Sequence, residues 1–233
     1  MEKTVKDIIQ HLQSRGQQKN VDGMAHFGIK PDNNLGVSVT EIRAYARALG
    51  QNHDLALELW DTGIRDARML AASIDDPKKV KEEQMEEWVQ DFDSWDVCDH
   101  VCGHLFDKTR FAYDKAVEWS SREEEFVKRA GFALMAWLAV HDKKQSDNVF
   151  ERFLGEIQKQ AKDNRNYVKK AVNWALRNIG KRNISLNRKA IATAKLLHKM
   201  SSSSARWIAG DALRELQGEK VQQRLQKKAL KLA

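Results

Sequence analysis

Two residues in the segment 95–99 have side-chain types and a spacing suited to stabilising positive charge. Trp95 and Asp99 are four residues apart, so on a helix both side chains project from the same face. An aromatic face attracts a cation, and a carboxylate beside it can stabilise charge that develops during a reaction. Each residue also has an ordinary structural interpretation. A Trp on a helix is usually a core residue, and Asp99 alone could be a solvated or helix-capping carboxylate.

The same segment contains a second spacing that could in principle bind a metal ion. Asp96, His100 and His104 follow one another at intervals of four residues, which places them on one helical face. They lack a convincing fourth ligand and the glutamate of a His-Glu-x-x-His motif, so we expect no metal site. Cys98 and Cys102 are the two cysteines of the chain, and we expect reduced thiols that pack as small apolar residues.

Positive charge is concentrated in the last third of the chain. Residues 1–158 carry 21 Lys and Arg against 29 Asp and Glu, a net charge of −8, whereas residues 159–233 carry 19 against 4, a net charge of +15. A segment this basic favours a polyanionic partner, with nucleic acid first and an anionic membrane surface second. The alternative is a basic, soluble surface without a partner.

Composition excludes several other classes of protein. A hydrophobic content of 42% with 31% charged residues is typical of a folded globular chain rather than a disordered tail. The longest apolar run, residues 130–140, is about half the ~20 residues that a membrane-spanning helix needs. The N-terminal residues lack the apolar region of an export signal, so we expect a cytoplasmic protein without a membrane partner.

Apolar residues recur at helical spacing along the chain, which predicts about a dozen amphipathic helices. The segment VKRA at 127–130 recurs as VKKA at 168–171, a shift of 41, and ALR at 175–177 recurs at 212–214, a shift of 37. Such shifts indicate stacked helix pairs of about 40 residues, as in HEAT and armadillo repeats. An irregular helical bundle is the alternative. Basic residues fall on the equivalent helices, where a solenoid would gather them on one concave face: Arg129, Lys169, Lys170, Arg177, Arg206 and Arg214.

Three stretches resemble a known family when they are taken in order. They are DSWDVCD at residues 93–99, FVKRA at 126–130 and YVKKAVNWALR at 167–177. Together they resemble the AlkD-like DNA alkylation repair family, whose members are HEAT-like-repeat DNA glycosylases acting on N3- and N7-alkylated purines. The resemblance covers about residues 24–218. It implies an all-α fold, an α-α superhelix or solenoid of HEAT-like repeats with a concave basic DNA-binding face. We expect one domain over residues 1–233, with its basic repeats from about residue 159.

The resemblance also implies roles for individual residues. Asp99 would stabilise positive charge on the deoxyribose and position the attacking water, while Trp95 and Trp174 would pack against the lesion nucleotide. We therefore predict these three as the catalytic set. No metal or organic cofactor is implied, because water is the nucleophile and the leaving base already carries positive charge.

The resemblance assigns a second group of residues to DNA binding, with Arg129 on a phosphate beside the lesion. The predicted contacts are Arg129, Arg177, Lys169, Lys170, Phe27 and Arg214. Three positions depart from the family pattern. Phe27 stands where a tyrosine is expected, Ser94 where relatives can carry a second tryptophan, and Trp137 where a lysine might have faced DNA. These departures bear on substrate range and affinity more than on the fold.

The sequence therefore predicts a monomeric DNA glycosylase that removes cationic alkylpurines from double-stranded DNA, with no obligate protein partner. The alternative is a non-catalytic HEAT-like module that binds distorted or branched DNA through the same basic surface. Asp99 separates the two, because a module that only binds DNA would not need a carboxylate near the nucleic acid. A protein-binding solenoid is disfavoured by the basic last third of the chain.

Overall fold

The computed structural model describes residues 3–230, so the first two and last three residues of the predicted 1–233 domain lie outside the described residues. Within residues 3–230 the regular structure is entirely helical, with fourteen α-helices and one 3₁₀ turn and no strand. This confirms the predicted all-α class. None of the described helices is long and apolar enough to cross a membrane.

The chain divides into two compact units, Met1–Phe111 and Ala112–Ala233. The first unit contains α1 (Val5–Arg15), α2 (Gln18–Ala25), α3 (Val39–Leu49), α4 (His53–Asp61), α5 (Arg65–Ile74), α6 (Glu82–Gln90), α7 (Trp95–His104) and the 3₁₀ turn Phe106–Lys108. The second contains α8 (Ala112–Ser120), α9 (Glu125–His141), α10 (Asp147–Gln160), α11 (Asn166–Gly180), α12 (Ile184–His198), α13 (Ser203–Leu216) and α14 (Glu219–Leu230). The prediction of a single domain stays a prediction.

In the first unit, α5 is the central helix and packs against α3, α4 and α7. Its residues from Arg65 to Ile74 are almost all buried, including the charged pair at its N-terminus. Trp60 of α4 and Trp88 of α6 stack with their ring centroids 4.0 Å apart and their planes 3° apart. This stacked pair joins α4 to α6.

The second unit consists of two helix layers. Helices α9, α11 and α13 contact one another in sequence and form one layer, while α8, α10, α12 and α14 form the other. The helices of the first layer begin at residues 125, 166 and 203, so their starts are 41 and 37 residues apart. These are the shifts seen in the sequence, which confirms the repeat and places its basic residues on equivalent helices.

The two layers approach closely at Gly131, in the interior of α9. A Cβ atom at this position would overlap the backbone of Ser120, the last residue of α8. Gly155, in the interior of α10, is exposed and has open space around it. The first glycine is therefore required by packing, whereas the second only weakens its helix.

We predict opposite effects for the same substitution at these two glycines. Gly131→Ala should lower the free energy of unfolding by about 1–3 kcal/mol, because the added methyl group overpacks the α8–α9 interface. Gly155→Ala should raise it by roughly 0.5–1 kcal/mol, because alanine loses less backbone entropy in a helix. Urea denaturation followed by circular dichroism measures both. Equal effects at the two sites would contradict the assigned layer contact.

Candidate nucleic-acid interface

Trp95 is the first residue of α7, and its side chain is hydrogen-bonded to the segment that carries Phe27. The indole Nε1–H donates to the carbonyl oxygen of Phe27 at 3.0 Å. Trp95 is half-buried, whereas the Phe27 side chain is 71% exposed. Asp99 lies one turn further along the same face of α7 and is also half-buried. Three predicted site residues of the first unit thus lie on α7 or are bonded to it.

A buried ionic network holds α7 and the loop before α3 against α5. Arg65 donates through Nε and Nη2 to one carboxylate oxygen of Asp96, at 2.7 and 2.5 Å, and through Nη1 to Asp66 at 3.1 Å. Asp66 in turn accepts the backbone N–H groups of Leu35 and Val37, at 2.7 and 2.9 Å. Burial raises the pKa of Asp66 despite the opposing attraction of Arg65 and these two N–H groups.

Of the three residues considered as metal ligands, Asp96 is bound by Arg65 in this network, and the two histidines have partners of their own. His100 is buried and bonded through Nε2 to Ser73 Oγ at 2.9 Å, while His104 Nδ1–H donates to the His100 carbonyl at 2.9 Å. The two imidazoles stack with centroids 3.9 Å apart. Burial, followed by the neighbouring charge of His104, lowers the pKa of His100 well below its usual value, which favours the neutral ring.

The cysteines on α7 are packed inside the first unit. Cys98 and Cys102 are fully buried and form no disulfide, as the sequence predicts, and burial raises the pKa of Cys102 well above its usual value. Within residues 3–230, no group of three or more His, Cys, Asp or Glu side chains is arranged to hold a metal ion. The part of α7 open to solvent therefore presents Trp95 and Asp99.

In the second unit, Arg129 lies between α9 and α11. Its residue is only 6% exposed, and Nη1 donates to the carbonyl oxygen of Tyr167 at 2.6 Å. The preceding Lys128 is equally buried and lies 3.5 Å from Asp163. The phosphate contact expected of Arg129 stays a prediction, and its guanidinium also has a structural role at the helix interface.

The equivalent positions on α11 and α13 are more open. Lys170 is exposed, and the ammonium group of Lys169 lies 5.1 Å from the ring centroid of Trp207 on α13. Trp207 is 43% exposed, which is unusual for a residue of this size. Trp207 is not among the site residues predicted from the sequence. The 37-residue shift between repeats could have indicated it, because the shift places Trp207 in register with Lys170.

Trp174 lies further along α11 and belongs to a small aromatic cluster. Its indole meets that of Trp137 on α9 edge to face, with ring centroids 5.4 Å apart and an interplanar angle of 81°. Trp137 stacks in turn on His141 at 4.8 Å. Trp174 remains half-buried, so part of its ring faces solvent while the rest packs against the neighbouring repeat. Its predicted contact with a nucleotide stays a prediction.

Arg177 and Arg214 differ in how strongly protein carboxylates engage them. Arg177 donates to Glu215 at 2.6 Å and lies 3.6 Å from Asp211, so acidic side chains of α13 already hold its guanidinium. Burial disfavours the charged form of Glu215, but Lys181 and Arg177 together outweigh this effect and lower its pKa. The Arg214 side chain is 76% exposed, with one contact to Asp211 at 3.3 Å. Arg214 and Lys170 are therefore more accessible than Arg129 and Arg177 among the predicted basic DNA contacts.

Comparisons with known proteins agree with this architecture. The sequence profile of the DNA alkylation repair enzyme family matches residues 8–216. A solved structure, described as a new family of proteins related to the HEAT-like repeat DNA glycosylases with affinity for branched DNA structures, superposes with a TM-score of 0.78. The two sequences are 23% identical, and the match covers 96% of each chain. The superposition confirms the HEAT-like repeat fold, while the concave basic face stays a prediction.

Two other solved structures resemble the chain more weakly. An engineered protein matches at 14% identity over 75% of this chain and 90% of its own, and a designed armadillo repeat protein in complex with the peptide (KR)4 matches at 15% over 80% and 89%. Both have TM-scores of 0.36, too low to support an argument. No significant match was found among curated proteins.

We predict that Asp96→Asn strongly destabilises the first unit. The substitution removes one of the two buried carboxylates that hold Arg65 and leaves its guanidinium with Asp66 alone. Breaking a buried ion pair typically costs about 3–5 kcal/mol. Lys30→Gln is the control, because Lys30 and Asp93 form an exposed pair at 3.6 Å and such pairs contribute roughly 0–1 kcal/mol. Chemical denaturation measures both. A loss below about 1 kcal/mol for Asp96→Asn would show that the network does not hold α7.

Proposed function

The chain belongs to the DNA alkylation repair enzyme family, and from this membership we propose that it is a DNA glycosylase for positively charged N3- and N7-alkylpurines in duplex DNA. Trp95, Asp99 and Trp174 are the proposed catalytic residues. The observation that carries the proposal is the geometry of α7, where an aromatic ring and a carboxylate lie one turn apart on the same face and are both half-buried. The neighbouring Asp96 of the same helix is bound to Arg65.

The chemistry requires little more than stabilisation of charge. In a cationic alkylpurine nucleoside the C1′–N bond is already weakened, and its electron pair leaves with the base, which becomes neutral. Positive charge then develops on the deoxyribose as an oxocarbenium-like centre, as in glycoside hydrolysis. A water molecule attacks C1′ and transfers a proton to the Asp99 carboxylate, leaving an abasic sugar. Asp99 thus stabilises the sugar cation and accepts the proton, and the proposed reaction requires no cofactor.

The position of Trp95 supports this assignment. Its indole nitrogen is bonded to the carbonyl of Phe27, so the orientation of the ring is restricted. A restricted aromatic face can hold a cationic base or sugar without a further loss of side-chain entropy. Phe27 lies at the same place with most of its ring exposed, and we propose that it contacts the DNA through apolar surface.

We propose that the second unit binds the DNA backbone. Lys170 and Arg214 are exposed, and Lys169 and Trp207 form a cation–π pair on the surface of the same repeats. Lysine and arginine contribute through contacts with phosphates, which give affinity without sequence preference. Arg129 and Arg177 belong to the proposed set, although each also holds a partner within the protein.

A second candidate function is binding of branched DNA without base excision. The structural relative is described as having affinity for branched DNA structures, and Phe27 departs from the pattern of the glycosylase family by lacking a hydroxyl group. In this case the basic residues of the second unit would still bind the DNA backbone, and Asp99 would have no catalytic role. The two candidates therefore differ in one measurable property, the release of a base.

We predict that wild-type protein releases 7-methylguanine or 3-methyladenine from methylated duplex DNA and that Asp99→Asn slows this release about 100- to 1000-fold. The expected loss reflects about 3–4 kcal/mol of electrostatic stabilisation removed from the transition state. Single-turnover kinetics with chromatographic detection of the free base gives the rate.

The matched control is Asp93→Asn, which makes the same substitution at an exposed carboxylate two residues before α7. Its excision rate should stay within about a factor of two of wild type, since surface substitutions change stability and function little. The outcome that favours the second candidate function is that the wild type releases no base, while Asp99→Asn and Asp93→Asn bind a four-way junction as tightly as wild type does.

Salt dependence of DNA binding tests the role of the second unit. We predict that Lys170→Gln lowers the slope of log affinity against log salt by about one, because one phosphate contact is lost. Lys195→Gln removes the same charge from α12, in the other helix layer, and should leave the slope unchanged. A salt-dependence slope for Lys170→Gln equal to that of wild type would exclude Lys170 from the DNA surface.

A further inference from the structure

A cavity of about 180 Å³ in the second unit is surrounded by basic side chains near the C-terminal ends of α9 and α11, with α14 closing one side. Five of its eight lining residues are cations: Lys143, Lys181, Arg182, Arg224 and Lys228. Its other lining residues are neutral, so no carboxylate faces the space. We refer to this space as the cationic cavity.

The nearest acidic side chains are engaged outside the cationic cavity. Glu215 bonds Lys181 and also holds Arg177. Asp142 accepts the hydroxyl of Tyr113 at 2.7 Å. Asp147 accepts the side-chain amide of Asn183, at 2.8 and 3.0 Å. Of the five cations, Lys181 is therefore the one with an ion pair to a described carboxylate.

Part of the positive charge has a structural role at helix ends. Arg182 donates to the carbonyls of Ala139 and Asp142, at 2.9 and 2.5 Å, and its guanidinium stacks over Phe150 at 3.8 Å. Lys143 donates to the carbonyl of Val140. These contacts satisfy the last carbonyls of α9, which favour cations. They explain the presence of Arg182 and Lys143 at the end of α9, but they do not explain why α14 adds Arg224 and Lys228 to the same cavity.

The charge from α14 is left without a counter-ion. Arg224 has no hydrogen bond or ion pair within residues 3–230, and Lys228 makes only long contacts, of 3.4 and 3.5 Å, with two carbonyl oxygens. Burial followed by the charges of Arg182 and Arg224 lowers the pKa of Lys143, and burial followed by the charges of Arg224 and Lys143 does the same for Lys228. In the unbound protein these cations repel one another, a cost that a bound anion would remove.

A second, larger cavity adjoins the first. It has a volume of about 830 Å³ and shares Lys143, Arg182 and Lys228 with the cationic cavity. Its lining includes the apolar side chains of Ile184 and Leu225 and also Asp147, whose carboxylate is bonded to Asn183. A group held by the shared cations would therefore have room beside it for a bulkier, less polar part of the same molecule, such as the sugar and base attached to a phosphate.

We propose that the cationic cavity is a phosphate-binding site that holds one backbone phosphate of DNA, separate from the contacts on the repeat positions of Lys170 and Arg214. Arginine and lysine donors converging without a carboxylate suit a phosphodiester, which offers several strong acceptor oxygens. The choice of DNA as the source of that phosphate rests on the proposed function. A free phosphate ion is the other source of the same chemistry.

The test compares two double variants with equal loss of charge. Lys143→Gln with Lys228→Gln removes two cations that line the cavity, whereas Lys144→Gln with Lys227→Gln removes their neighbours, which are also exposed but do not line it. On unmodified duplex and on a four-way junction, the first should lower the slope of log affinity against log salt by about one, and the second should leave it unchanged. The melting temperature of the first should equal or exceed that of wild type, because repulsion is relieved.

A titration of the free protein with inorganic phosphate provides the second readout. In ¹H–¹⁵N spectra, saturable shifts should occur at residues 139–145 and 181–184, disappear in the cavity variant and persist in the control variant. Absence of saturable shifts in wild type overturns the site. Phosphate binding with an unchanged DNA slope overturns the assignment to DNA. Because neither measurement uses base excision, the inference stands if the expected slopes are found and no base is released, and only the glycosylase proposal then fails.

Discussion

The buried ion pair between Arg65 and Asp96 is the interaction on which the geometry of the proposed catalytic face depends. It joins α5 to α7, and through Asp66 the same guanidinium is linked to the backbone of residues 35–37. Removing charges from water is costly, so such a network is tolerated only when nearly every donor and acceptor has a partner. Its effect is to hold the start of α7, where Trp95 meets Phe27, in one arrangement, with Asp99 half-buried one turn further along the helix.

A similar constraint governs the second unit, where polar side chains bridge successive helices of one layer. Asn178 donates to the carbonyl of Ala136 at 3.2 Å, and Asn173 donates to Asp211 at 2.7 Å. Arg129 and Arg177 form comparable bridges. Because these contacts are made inside the stack, a count of basic residues overstates the charge available for DNA. The net charge of +15 in residues 159–233 combines structural cations with exposed ones.

Several features could be predicted from the sequence because they depend on neighbours close along the chain. Helical periodicity and the 41- and 37-residue shifts both reappear in the structure. The spacing of Trp95 and Asp99 correctly placed both on one helix. The partners of Asp96 could not be predicted, since Arg65 lies 31 residues away and nothing local marks it. The 37-residue shift places Trp207 in register with Lys170, but its exposure on the surface of α13 could not be predicted from spacing.

The sequence by itself determined that the chain is helical, that its helices repeat and that it belongs among the DNA alkylation repair proteins. These properties follow from local periodicity and from residue order, which do not change on folding. Only the tertiary structure decided which cationic side chains are bound within the protein, which remain exposed, and which five line one cavity. The reason is that burial and pairing are set by side chains distant in sequence, and each cation's electrostatic environment depends on those neighbours.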